Sequence, residues 1–318
     1  MTAEGVNPPS SSGAPDPSSS PESPLTSGVR SRGASARHSP LILAGAALLF
    51  SVMALTAKTA SQHLSGPQLA WLRFLLGGVL CLLPLSFGYR LQPQSYRALI
   101  LRGLFGSFAV LTYFLAIAHL PVGIATLLNS SSPLFVALFS FLFLREPLAL
   151  RTLLALLLTA VGVALVVLGN AQRHVGTALF QGSILWALVG LSSAVLAGAA
   201  VTTVRSMRKT EGSLEIYLAF CCVGGVLMAP PGTTTWVWPS LRDLAWVLAM
   251  GISAAVAQVA MTHALRDVRA VSAALILQIT PIATLFLGAV FLAERLTPLG
   301  LVGATITLLG ITWGTIAR

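Results

Sequence analysis

The chain has 318 residues, of which 55% are hydrophobic and only 9% are Asp, Glu, Lys or Arg, whereas a soluble domain carries about 25% charged residues. Such a chain cannot cover itself with a water-facing surface, which excludes a soluble protein and points to a membrane protein. Its net charge of +10 does not indicate a nucleic-acid partner, because the basic residues stand in ones to threes between apolar runs, a pattern of topology signals rather than of a phosphate-binding face.

Residues 1–38 are rich in Ser, Pro and Gly, with Arg30, Arg32 and Arg37 near the end. Nothing there can bury a core, so a disordered tail is expected. No apolar segment precedes a small-residue cleavage site, so the tail does not read as a signal peptide. From Pro40 onward ten apolar runs follow, at about 40–60, 68–88, 98–118, 121–143, 149–169, 181–204, 214–230, 242–264, 270–292 and 298–316. Each is long enough, or nearly so, to cross a bilayer as a helix, the seventh being the shortest. The loops between them leave no room for a soluble domain. Cys81, Cys221 and Cys222 all fall inside apolar runs without metal-ligand or CxxC spacing, so they read as small apolar residues. No cofactor and no metal are expected.

The run from Pro121 to Gly169 returns 148 positions later. That offset pairs Pro133, Glu146, Thr159 and Gly162 with Pro281, Glu294, Thr307 and Gly310, and without a gap it also pairs Gly103 with Gly251. A proline, a glutamate and glycines held in one register indicate an internal duplication. With the N-terminus in the cytoplasm, fourteen of the Lys and Arg residues fall on the inner side, Arg102 among them, against Arg173, Arg242 and Arg295 outside. Lys58 and Arg73 lie within helices. Both termini are therefore expected in the cytoplasm. Five helices per copy is an odd number, so the second copy enters the membrane upside down. The expected fold is an all-α integral membrane protein of ten transmembrane helices, arranged as two inverted five-helix repeats at 39–170 and 171–318. Inverted halves frame a binding site and permit one half to rock against the other, the architecture of a transporter.

Candidate site residues follow from depth and polarity. Pro133 and Pro281 sit near the middle of matched helices, where each removes a backbone hydrogen bond, and paired interruptions in two halves point toward a transporter's site or hinge. Tolerated kinks are the alternative. Arg73 sits about one turn inside the second helix and Lys58 near the end of the first. A cation in hydrocarbon costs roughly 2.5–3.5 kcal/mol, so Arg73 either faces a cavity and meets a substrate carboxylate or phosphate, or snorkels to headgroups. Tyr113, Asn129 and Ser130 are placed toward the outer side with Arg73. Gln258, His263, Gln278 and Thr280 are placed toward the inner side. Two polar clusters at opposite depths suit a pathway with an outer and an inner gate, while interhelical hydrogen bonding is the plainer reading of any one of them. Glu146 and Glu294 read as helix-end residues, with a proton-carrying role as the alternative.

The run AKTASQHLSGPQLAWLRFLLGG, the turn LREPLALRTLLALLLTAVGVALV and its partner LAERLTPLGLVGATITLLGI resemble the two halves of a drug/metabolite transporter superfamily protein of the EamA type. The resemblance covers about residues 40–316. It implies a ten-helix alternating-access carrier in the cytoplasmic membrane, often an exporter of amino acids or other small metabolites. Membrane lipids and a small-molecule metabolite are the expected partners, and a monomer and a homodimer both stay open. One departure is that aligning Gly77–Gly78 with Gly224–Gly225 puts Phe220 where the first half has Arg73. A membrane-embedded lipid-modifying enzyme and a channel are the alternatives to a carrier. No catalytic constellation supports the enzyme, and proline-interrupted halves fit a channel poorly.

Overall fold

The computed structural model of the protein describes residues 2, 24–145, 147, 149–171, 179–293 and 297–316. The chain forms two compact units, Met1–Arg37 and His38–Arg318. Most of the first lies outside the described residues, and its described backbone from Pro24 is helical. All further description concerns the second.

The ten apolar runs become helices. In order these are α1 (Pro24–Ala60), α2 (Gly66–Ser86), α3 (Tyr96–His119), α4 (Val122–Asn129), α5 (Ser132–Phe139), α6 (Leu150–Ala171), α7 (Leu179–Met207), α8 (Ser213–Thr234), α9 (Leu241–Ala264), α10 (Ala270–Ile276), α11 (Ile279–Phe291) and α12 (Pro298–Ile316). A wider π-helical turn, Ser140–Leu144, extends α5. Seven stretches among the described residues are long and apolar enough to cross a membrane. Their outward faces carry bare Leu75, Val79, Leu82, Phe108, Val226 and Val256, side chains that suit lipid and would be a liability in water.

The fourth and ninth runs are not the continuous proline-kinked helices the sequence suggests. Proline has no N–H to give to the carbonyl four residues back, and its ring crowds that carbonyl. The carbonyl is that of Asn129 for Pro133 and of Leu277 for Pro281. The chain responds by breaking. Helix α4 stops at Asn129 and α5 restarts at Ser132; α10 stops at Ile276 and α11 restarts at Ile279. Tight three-residue turns bridge both gaps, from Ser131 N to Leu128 O at 3.1 Å and from Gln278 N to Leu275 O at 3.0 Å. Each proline thus sits in the first turn of a new helix, where its missing N–H is not needed.

The duplication is written into the packing. A methyl added at Gly162 of α6 would lie 2.5 Å from Thr307 Oγ1 and 2.7 Å from the Gly303 carbonyl; one at Gly310 of α12 would lie 2.5 Å from Thr159 Oγ1 and 3.1 Å from the Ala155 carbonyl. Each threonine of one copy fills the glycine notch of the other, and since 162 meets 303 and 307 while 310 meets 155 and 159, the two helices run antiparallel. The same exchange recurs between the paired hairpins, where Val223 of α8 fills the notch at Gly103 of α3 and Leu76 of α2 fills that at Gly251 of α9. Arg145 and Ala293, again 148 apart, are left-handed at φ 53° and 54° and end α5 with its π turn and α11. Glu146 and Glu294, the helix-end carboxylates, lie outside the described residues.

At one end of the bundle Ser65 caps α2 by accepting from Gln68 N at 3.3 Å, and the Gln68 amide exchanges two hydrogen bonds with the Val237 backbone. At the other end Glu211 Oε1 accepts from the backbone of Gln94 and Ser95 at 2.8 and 2.6 Å, tying the α2–α3 loop to the α7–α8 turn. These ties hold the hairpins in register around a central cavity.

Candidate functional site

Helices α1 to α5 and α7 to α11, with the two helix breaks, line a cavity of about 170 Å³. Arg73, Tyr113, Asn129, Ser130, Gln258 and Gln278 all line it. The polar residues expected at two opposite depths therefore share one chamber. The reason lies in the breaks: α4 packs on α11 and α5 on α10, so the two interrupted helices present their junctions to each other. Gln278 donates its amide to the Ser130 carbonyl at 2.6 Å.

Arg73 is the eighth residue of α2 and is 5% exposed. Its guanidinium points inward, which removes the snorkelling alternative: Nε and Nη1 are buried and bond nothing. Its guanidinium carbon lies 5.6 Å from the centre of the Phe220 ring and 5.8 Å from that of Phe74. Phe220 is the residue that replaces Arg73 in the second repeat, so the first-half arginine rests on its own counterpart.

A second arginine, missed in the sequence, joins it. Arg102 counts there among the inner-side topology charges because it lies close to the start of its apolar run. In the structure it is the seventh residue of α3, 3% exposed, and lines the same cavity. Its guanidinium carbon sits 4.1 Å from the Phe220 ring centre, and its Nε and Nη1 also bond nothing. Gly106, one turn further along α3, is the signal that marks the position: a methyl there would strike the Arg102 guanidinium. A desolvated cation–π contact is worth about 2 kcal/mol, whereas a cation inside hydrocarbon costs roughly 2.5–3.5 kcal/mol. The shared ring offsets part of the burden of two such charges and leaves their donors unsatisfied.

The neutral residues are better served. Tyr113 Oη and Thr126 Oγ1 share a hydrogen bond of 2.8 Å, and Ser193 Oγ donates to Asn129 Oδ1 at 3.1 Å. Buried Gln258 Nε2 and Gln278 Oε1 have no partner. Thr280 lines the cavity and donates to the Ala47 carbonyl at 3.2 Å, while His263 is exposed. Lys58 is not part of the chamber. Its ammonium donates to the Ile117 and Leu120 carbonyls at 2.9 and 3.0 Å, closing the C-terminal end of α3.

The EamA-like transporter family matches the chain twice, over residues 39–168 and 184–315. The pseudopaline exporter CntI of Pseudomonas aeruginosa strain UCBPP-PA14 is 32% identical over 221 residues, which is 69% of this chain and 75% of that protein. An uncharacterized transporter of Helicobacter pylori strain 26695 is 26% identical over 68% of this chain and 74% of its own length. One from Archaeoglobus fulgidus is 24% identical over 81% and 92%. A crystal structure with 21% sequence identity superposes with a TM-score of 0.73 across 88% of this chain and 97% of its own, and shares the fold.

Proposed function

The chain belongs to the EamA-like transporter family, and from that membership we propose that it is a secondary carrier, working as an exporter of a small polar metabolite such as an amino acid across the cytoplasmic membrane. The observation that carries this reading is the cavity. Two matched helix breaks meet in it, and unpartnered guanidiniums and amides project into it from both repeats. Broken helices at a repeat interface are how carriers expose backbone and polar side chains to a solute at the midplane. The antiparallel exchange between Gly162–Thr307 and Gly310–Thr159 supports two inverted five-helix repeats, 39–170 and 171–318. In this reading ten helices cross the membrane, both termini are cytoplasmic, and residues 1–38 form a cytoplasmic tail.

Arg73, Tyr113, Asn129, Ser130, Gln258 and Gln278 are the proposed substrate-contacting residues, with Pro133 and Pro281 at the hinges. Alternating access follows if the two junctions pivot about the Ser130–Gln278 contact, opening the chamber first to one face and then to the other. A solute gradient or an exchange reaction supplies the driving force. The test is reconstitution of the full chain in vesicles with a panel of labelled amino acids and metabolites. Saturable, counterflow-competent movement of one of them is the expected result. Turnover of a lipid with no solute moved returns the assignment to an enzyme.

A further inference from the structure

The chamber holds more positive charge than one substrate carboxylate answers. Arg73 and Arg102 are both at least nine-tenths buried, and Nε and Nη1 of each bond nothing. Among the described residues no Asp or Glu lines the cavity, and none places a carboxylate within salt-bridge distance of either arginine. The aromatic face of Phe220 attracts both cations but carries no charge to cancel either one. Arg73 of α2 and Arg102 of α3 bring their guanidinium carbons to the same ring, 5.6 and 4.1 Å from its centre. Two like charges held together out of water are tolerable only when an anion comes between or beside them.

Resting on the carrier reading above, we infer that the transported molecule is a dianion that engages Arg73 and Arg102 at once, presenting two carboxylates or one doubly ionised phosphate. Each guanidinium offers a planar fork that matches the two oxygens of such a group. Gln258 and Gln278, with Nε2 and Oε1 free, then face the uncharged remainder of the molecule. Gly106 is the positioning element, since its missing side chain is what allows the Arg102 guanidinium to lie against Phe220.

The experiment uses the full chain, purified in a nonionic detergent and held at constant ionic strength. Thermal stabilisation is titrated with succinate and glutarate, with butyrate and valerate as monoanions of matching length, with inorganic phosphate, and with chloride. The dicarboxylates or phosphate should bind at least about ten-fold tighter than the monoanions, as a second charged hydrogen-bonded contact implies. Arg102→Gln should erase that preference, bringing dianion affinity down to that of the monoanions, while Arg102→Lys keeps part of it. Gly106→Ala, which retains both charges and displaces one, should also reduce the preference, which guards against reading a folding defect as a binding one. The ratio of phosphate to dicarboxylate affinity decides between the two forms of dianion.

Equal binding of monoanion and dianion by the native protein overturns the inference. So does an unchanged preference in folded Arg102→Gln, or stabilisation by anionic lipid alone with none by soluble dianions. Uptake into vesicles of phosphatidylcholine separates this inference from the reading it rests on. A protein that moves a neutral or cationic solute and ignores dianions ends the inference and keeps the carrier. One that binds dianions through both arginines but moves no solute keeps the paired site and ends the carrier.

Discussion

Gln278 hydrogen-bonds the carbonyl of Ser130 at 2.6 Å, and the two stand 148 positions apart, the offset that lays one repeat on the other. Arg73 and Phe220, matched when Gly77–Gly78 is aligned with Gly224–Gly225, also meet, one resting on its counterpart. Both contacts join residues that match between the two copies, so the helix breaks and the arginine chamber are built where the copies meet. Truncating the contact with Gln278→Ala should cost about 1 kcal/mol of stability. Transport is expected to fall further than that loss accounts for. Parallel measurement of unfolding and of uptake per folded molecule checks this, and unaltered uptake would remove the contact from the pivot.

Pro133→Ala and Pro281→Ala restore an N–H that the carbonyls of Asn129 and Leu277 can accept. Each should let its two short helices fuse, with stability kept or raised and the rate of transport lowered. Uptake by both variants at native speed would reduce the breaks to tolerated kinks.

The glycine notches make a symmetric prediction. A methyl at Gly162 comes within 2.6 Å of the Thr307 backbone nitrogen, and one at Gly310 within 2.9 Å of that of Thr159. Backbone has to move in both cases, and overpacking of this kind costs about 1–3 kcal/mol. Gly162→Ala and Gly310→Ala should therefore lower the unfolding temperature by similar amounts, as seen by thermal denaturation in detergent.

For Arg73 the charge and the shape of the group separate. Arg73→Lys keeps the cation without the planar fork and should reduce transport of a carboxylate-bearing substrate by at least about ten-fold. Arg73→Ala should nearly abolish it while the protein still inserts. Near-normal uptake by well-expressed Arg73→Ala would take this residue out of the site and leave the family assignment untouched.

Single cysteines report the proposed topology. Gln62→Cys and Thr235→Cys, exposed at the end of the bundle where Ser65 caps α2, should react with an impermeant maleimide added to intact cells. Lys209→Cys, exposed at the opposite end, should react only after permeabilisation. The reverse pattern would invert the assigned orientation.

Much of this was legible in the chain. The duplication, the pair of prolines and the first buried arginine each stand out because a proline or a charge is conspicuous in apolar sequence. What the sequence could not supply was the meeting of the two copies. Depth read along an unbroken helix separates Ser130 from Gln278, whereas two facing breaks bring them into contact. Arg102 was hidden for a related reason. Near the start of an apolar run, a basic residue reads as a topology signal, and only the packing of α3 on α8 turns it inward. Its one local mark is Gly106, a glycine a turn away that by sequence reads, with Gly103, as a helix-packing residue.

Phe220 has a consequence for how the protein is made. The ring beneath both guanidiniums belongs to α8, more than a hundred residues after Arg102, so at about 5–20 residues per second it leaves the ribosome several seconds later. For that interval Arg102 lacks its aromatic partner, Arg73 has only Phe74, and the notch at Gly103 waits for Val223 of the same late helix. Water or lipid headgroups have to stand in until α8 arrives. A chain interrupted before α8 is therefore expected to be less stable in the membrane than the full chain, since both guanidiniums lose the Phe220 ring.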